Sequence, residues 1–227
     1  MGKIIVAGSI NMDVVAGVTK HPVPGETIFG RDLQFIPGGK GANQAVAAAR
    51  LNGDVHLIGK VGKDAFGGQL LDFLRSEAMN TDFVTQNDNA SGTALILVDD
   101  NSENTIVVIS GSNMDVSPHD VAEIVIESHD IALATFEVPQ ETTLALFERT
   151  KTAGGMTIMN AAPATEFIVG LQEQVDIVIV NETELAFFAG DDVTISDDLD
   201  ILEKQAQTFR CRDDQIIVMT LGAKGVL

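Results

Sequence analysis

The stretch Pro37-Gly38-Gly39-Lys40-Gly41-Ala42-Asn43-Gln44-Ala45-Val46-Ala47-Ala48-Ala49-Arg50-Leu51 is a glycine-rich turn that runs straight into an alanine-rich helix. Three glycines around one lysine strip side chains from the turn, so backbone N–H groups can approach a ligand, and the positive end of the helix points to the same place. Lys40 and Asn43 add side-chain donors suited to an oxygen-rich group. The spacing is not that of a P-loop, because Gly41 rather than Ser or Thr follows Lys40 and no glycine stands five residues before it. It does not fit G-x-G-x-x-G either. By itself a glycine turn before a helix is more often a plain turn, so its meaning depends on the chain around it.

With 227 residues and 45% hydrophobic content, the chain can bury one substantial core, as one domain with an appendage. No window approaches the roughly 20 apolar residues that span a bilayer. Met1-Gly2-Lys3 leads directly into a strand-like run, and a cytoplasmic protein with no membrane partner is expected. The single Cys211 has no companion for a disulfide or a zinc site. Thirty-three acidic against fourteen basic residues give a formal net charge of −19, which repels phosphate backbones and argues against nucleic acid as a partner. The acidic runs Asp191-Asp192 and Asp197-Asp198-Leu199-Asp200 read as solvated surface. An acidic chain that binds a nucleotide must concentrate its few cations and a metal at the site, which singles out Lys40. There is no Trp and no Tyr, so a sugar here would be held by hydrogen bonds from Asp, Asn and Glu rather than by ring stacking. That favours a small, enclosed monosaccharide.

The first apolar run, Lys3 to Gly8, suits the interior of a parallel sheet and stops at Ser9-Ile10-Asn11-Met12-Asp13. Ligands of open α/β sheets collect beyond the carboxyl ends of strands, the position at which Asn11 and Asp13 stand. An amide and a carboxylate two residues apart can chelate neighbouring hydroxyls, or equally close an Asx turn. Residues 14–36 and 93–110 read as short extended segments that leave the main sheet and form a small sheet over the site. The body then alternates. Helices are expected over Asp64–Met79 with Asp64 as N-cap, from Ser117-Pro118 with Val121, Ile124 and Val125 on one face, and over Gln140–Ala153, Thr183–Phe188 and Leu199–Arg212. Strands are expected over Val55–Gly59, Ile131–Ala134, Met156–Met159, Asp176–Val180 and Gln215–Met219. This order predicts a three-layer α/β/α sandwich on a mostly parallel sheet.

Polar or glycine residues stand where these strands end: Glu137, Asn160, Asn181 with Glu184, and Thr220 with Gly222. Together with the first strand's end they point to one shared crevice, although helix caps also account for Asn181 and Thr220. The four histidines, His21, His56, His119 and His129, show no ligand spacing and are assigned to structure or surface.

The string Gly-Gly-Lys-Gly-Ala-Asn-Gln-Ala-Val-Ala-Ala-Ala resembles the first signature of the ribokinase (PfkB-type) sugar kinase family, and the resemblance runs from about residue 3 to 227. It implies that Asn11, Asp13, Gly39, Asn43 and Glu137 hold sugar hydroxyls and that Lys40 lies near the transferred phosphate. It implies that Asn181-Glu182-Thr183-Glu184 is the family's N-x-x-E motif, with Asn181 near the nucleotide and Glu184 tied to Mg²⁺, and that Thr220 and Gly222 line the nucleotide side. It further implies ATP as the phosphate donor, a stimulating monovalent cation such as K⁺, and a β lid that also makes a homodimer contact. The family's second signature, D-T-x-G-A-G-D with the catalytic base, does not occur in residues 1–227 and is expected beyond Leu227, in a domain incomplete at its C-terminus.

The leading reading is therefore a kinase that transfers the γ-phosphate of ATP to the primary hydroxyl of ribose. Phosphoryl transfer is mainly positioning plus charge neutralisation, which this residue set suits. Fructose, 2-keto-3-deoxygluconate and nucleoside kinases are the close alternatives, and Phe29 and Phe35 offer no clear wall for a base. A catalytically silent sugar- or nucleotide-binding fragment is the alternative from another class. Glycosidic cleavage is disfavoured, because it leaves the Asn-x-x-Glu and Thr-x-Gly elements without work.

Overall fold

The computed structural model describes residues 2–190 and 198–227. Asp191, Asp192 and Asp197 of the acidic runs lie outside the described residues, while Asp198, Leu199 and Asp200 are exposed.

Seven strands form one sheet: β1 (Lys3–Ala7), β4 (Asp54–Gly62), β5 (Val84–Asn87), β8 (Ile131–Thr135), β9 (Met156–Asn160), β10 (Ile177–Asn181) and β11 (Ile216–Thr220). They lie in the order β11-β10-β9-β8-β1-β4-β5, and every pair is parallel. The continuous apolar runs make this arrangement stable only with both faces covered. The pleat sends alternate residues to opposite faces. Val6 and Leu57 join the core built with helices α1 (Lys40–Arg50) and α2 (Ala65–Ser76). Ile5, Ala7 and Ile58 join the core built with α3 (Pro118–Val121), α4 (Gln140–Ala153), α5 (Glu182–Ala189) and α6 (Leu199–Phe209). Three layers result, as the strand–helix alternation predicts. Asp64 caps α2 as expected, its carboxylate accepting from the Gly67 N–H.

The other four strands form the expected small sheet. It holds β2 (Asn11–Gly17), β3 (Asp32–Gly38), β6 (Gly92–Val98) and β7 (Asn104–Ile109) in the order β3-β2-β6-β7. Register places Asn11 opposite Gly38 and Gly92, and Asp13 opposite Ile36 and Ala94. Asn11 and Asp13 are therefore strand residues rather than turn residues. After β1 the chain crosses directly into the small sheet, so the carboxyl end of one sheet becomes the start of the other.

One helix departs from expectation. The Ser117-Pro118 helix is a single turn with a Ser117/Asp120 capping box, and Val125 is 68% exposed while Val121 and Ile124 are buried. Arg149 of α4 donates to the carbonyls of Val121 and Ile124, and a continuing helix would need the first of these for itself.

Candidate active site

Three segments converge at the carboxyl edge of the large sheet: the β1–β2 crossing, the start of α1 and the turn after β8. Gly39 makes the convergence sterically possible. It has φ +95°, and a Cβ there would lie 2.7 Å from the Ser9 carbonyl oxygen and 2.8 Å from the Asn11 nitrogen, so neither backbone strain nor space allows a side chain.

The start of α1 is not left bare for a ligand. Lys40 N donates to Glu137 Oε2 at 3.3 Å, Gly41 N to Ser9 Oγ at 3.4 Å and Ala42 N to the Ser9 carbonyl at 2.9 Å. The Ser9 hydroxyl, fully buried, donates to Glu137 Oε2. Lys40 Nζ lies 2.7 Å from Glu137 Oε1. One orphan donor of the helix thus holds the Glu137 carboxylate and two hold Ser9, so all three are met within the protein. What faces the open space is the side chains.

That space is a cavity of about 150 Å³ lined by Asn11, Asp13, Gly39, Lys40, Asn43 and Glu137, with Ala94, Ile96, Ile106 and Val108 of the small sheet opposite. At roughly 30 Å³ per water it has the volume of about five waters, a space for one small polar molecule under an apolar cover. Burial, and after it the neighbouring Glu137 carboxylate, push the Asp13 carboxyl above its ordinary range, with Lys40 pulling the other way. A larger hollow of about 540 Å³ lies among Glu166, Phe167, Phe187, Phe188 and Phe209. It gathers no comparable set of acids, amides and cations.

The remaining expected site residues sit on the same edge but outside this cavity. Asn160 ends β9, Asn181 ends β10 and Thr220 ends β11. At about 4.8 Å per strand, β10 and β11 lie roughly 10 and 14 Å from β8 along the edge. Asn-x-x-Glu forms a reciprocal cap on α5: Asn181 Oδ1 accepts from Glu184 N at 2.8 Å, and Glu184 Oε2 accepts from Asn181 N at 2.9 Å. Thr220 donates to the Val180 carbonyl at 3.4 Å, and Gly222 opens a short 3-10 turn. The five strand ends lie side by side along this edge, with the compact cavity at β1 and β8 and a shelf beside it at β10 and β11.

Two residues escaped the sequence reading. Ser9 is in the strand-end segment but was given no role there. Asn113 sits in a 3-10 turn (Gly111–Asp115) and meets Asn11 across 102 positions of sequence, for which no local pattern gives a signal. Among the described residues one trio of possible metal ligands lies close together, Glu127, His129 and Asp130. It is at the opposite edge of the sheet, just before β8, and the Asp130 carboxylate is already taken up by the N–H groups of Lys3 and Glu127.

A parallel α/β sandwich whose strand-end cavity is walled by a small β-sheet and lined by acids, amides and one lysine defines a small-molecule site of the open α/β class. The family model for pfkB family carbohydrate kinases matches residues 1–227, and the chain belongs to that family. It is 37% identical over 229 residues to the bifunctional ribokinase/ribose-5-phosphate isomerase A of Fructilactobacillus sanfranciscensis, covering 99% of this chain and 42% of that protein. It is 34% identical over 227 residues to the ribokinase of Staphylococcus aureus, covering 98% of this chain and 74% of that one. The chain thus spans less than half of the first relative and about three quarters of the second. The structure of Arabidopsis thaliana ribokinase complexed with ribose and ATP superposes with a TM-score of 0.84 at 25% identity, covering 100% of this chain and 74% of that one.

Proposed function

We propose that the protein is an ATP-dependent kinase that phosphorylates the primary hydroxyl of ribose. The observation that carries this reading is the cavity that gathers Asn11, Asp13, Lys40, Asn43 and Glu137 in a family of carbohydrate kinases. Acceptors on Asp13 and Glu137 and donors on Asn11 and Asn43 would bind the hydroxyls, with the Gly39 backbone closing the wall. Lys40, paired with Glu137 at rest, is the cation that would meet the transferred phosphate at the cavity mouth. The shelf at β10 and β11 would take the nucleotide. Asn181, its Oδ1 committed to the cap, has its Nδ2 left as a donor, and Thr220 and Gly222 border the same edge. We assign no proton acceptor for the attacking hydroxyl among the described residues.

Glu184 keeps one carboxylate oxygen beyond its cap. That suits Mg²⁺, which retains several waters and takes one or two carboxylates plus substrate phosphates. Glu184 would hold the ion through water, and the ion would offset phosphate charge. A stimulating monovalent cation such as K⁺ belongs to the same proposal, with no described residue assigned to it. We also propose that the small sheet acts as a lid and as a homodimer contact in the cytoplasm, a reading supported by β7, in which every residue is exposed, including Ile106, Val107, Val108 and Ile109. Sedimentation showing only monomer at micromolar concentration contradicts the dimer. The kinase itself is tested by ADP release from ATP across a panel of pentoses, hexoses and nucleosides; ribose is expected to give the highest kcat/KM, and release that depends on none of them overturns the reading.

A further inference from the structure

We propose that Asn113 is a positioning residue that decides which end of the Asn11 amide faces the cavity, so that Asn11 acts there as a donor only. The inference rests on the sugar-site reading above.

A backbone N–H can only donate. That of Ile10 donates to Asn113 Oδ1 at 2.9 Å, which leaves Asn113 its Nδ2 for the next bond. Nδ2 donates to Asn11 Oδ1 at 2.7 Å. The oxygen of Asn11 is thereby turned toward Asn113, and its Nδ2 is the end left to offer the cavity that it lines. The direction of the chain is set by the Ile10 N–H and cannot reverse by rotating one amide. Both asparagines are buried, at 3% and 1% exposure for Asn11 and Asn113, so water does not compete for the bond. Gly92 leaves the pair its place, since a Cβ there would lie 2.2 Å from both Asn11 Oδ1 and Asn113 Nδ2. Asp13, two residues along the same face of β2, is an acceptor when ionised. The strand therefore offers a donor and then an acceptor, a pair that takes one hydroxyl by its oxygen and the next by its proton. A reversed Asn11 would set two acceptors side by side.

Asn113→Asp tests this. An ionised carboxylate at that position still accepts from Ile10 N but cannot donate, so Asn11 must turn its Nδ2 inward and its oxygen to the cavity. A protonated carboxyl donates as the amide did. Ribose titrations of the variant are expected to give a Kd about ten- to a hundredfold above wild type when the carboxyl is ionised, and the ratio to wild type narrows as pH is lowered. Asn113→Leu, which neither donates nor titrates, should give a ratio that does not change with pH. The titratable and charged groups on the elements around Asn113 are Asp13 on β2, Asp115 on its own turn and Asp54, His56 and Lys60 on β4, with Lys40 and Glu137 across the cavity; all are present in both proteins, and the ratio compares like with like. Side-chain amide exchange by NMR gives a readout without ribose: slow for Asn113 and fast for Asn11 in wild type, with Asn11 becoming slow in the ionised variant. A ratio near one at every pH, or one as flat as that of Asn113→Leu, overturns the proposal. A wild-type protein that takes no ribose contradicts the sugar-site reading instead, and exchange then decides: a fast Asn11 amide supports the relay, and a slow one in wild type overturns it.

Discussion

Lys40 Nζ and Glu137 Oε1 lie 2.7 Å apart and join the first residue of α1 to the turn after β8. The lysine side chain is 42% exposed and the glutamate 11%, so the cation stands at the mouth and its partner inside. Ser9 and the Lys40 N–H would still hold Glu137 without the ammonium. Lys40→Met is therefore expected to lower kcat by about 10²–10³, the usual cost of one charge-stabilising donor, while the ribose Kd changes only a few-fold. Stopped-time assays beside calorimetry check this, and normal turnover would move Lys40 to a structural role.

Asp13 carries a carboxyl pushed upward mainly by burial and then by Glu137. Ribose binding that needs its anion should weaken as pH falls through a pKa above the ordinary 3.8. Asp13→Asn should abolish that step and raise Kd about ten- to a hundredfold at pH 7. The linkage has the opposite sign for stability. A raised folded-state pKa contributes stability below the unfolded value and loses it as pH rises, so unliganded Asp13→Asn should melt higher than wild type at pH 7. A lower melting temperature with unchanged ribose affinity would contradict both statements.

The reciprocal cap between Asn181 and Glu184 separates two roles of one carboxylate. Glu184→Gln can still accept the Asn181 N–H and should leave stability within about 0.5 kcal/mol, whereas Glu184→Ala loses the cap at a cost of about 1 kcal/mol. Both should raise the Mg²⁺ concentration needed for half-maximal turnover. If only Glu184→Ala shifts that requirement, the residue acts through the helix and not through the ion.

Asp64 bonds Gly67 N at 2.8 Å, Ser91 N at 2.8 Å and the Ser91 hydroxyl at 2.7 Å, tying α2 to the residue just before β6 of the small sheet. Although burial raises its carboxyl, the bonds to Ser91 and Gly67 outweigh this and hold it below the usual range. Its stabilisation is present above the unfolded pKa and is lost as pH falls through the folded one. Asp64→Ala should cost about 1–3 kcal/mol at pH 7, measured by urea unfolding, and less at pH 3. An equal loss at both pH values would show that charge plays no part.

The sandwich was legible because its strands are apolar runs and its helices carry their own punctuation, such as Asp64 before α2 and Ser117-Pro118 at the start of α3. The cavity residues were legible through the glycine turn and the polar strand ends. What was hidden depended on distant contacts. Arg149 removes two carbonyls from a helix that local pattern extends past Val121. Asn113 reaches Asn11 only after the two sheets assemble. The five polar strand ends fall on neighbouring strands, β11, β10, β9, β8 and β1; sequence marks such ends but does not give their order.

The central claim is transfer of phosphate to the primary hydroxyl of ribose, and phosphorus-31 NMR of the complete protein with ATP, Mg²⁺ and ribose tests it most directly. The account predicts a new phosphomonoester signal coupled to the C5 protons of ribose, growing in step with ADP. Loss of ATP to inorganic phosphate alone, or a monoester coupled to any other carbon's proton, would contradict it.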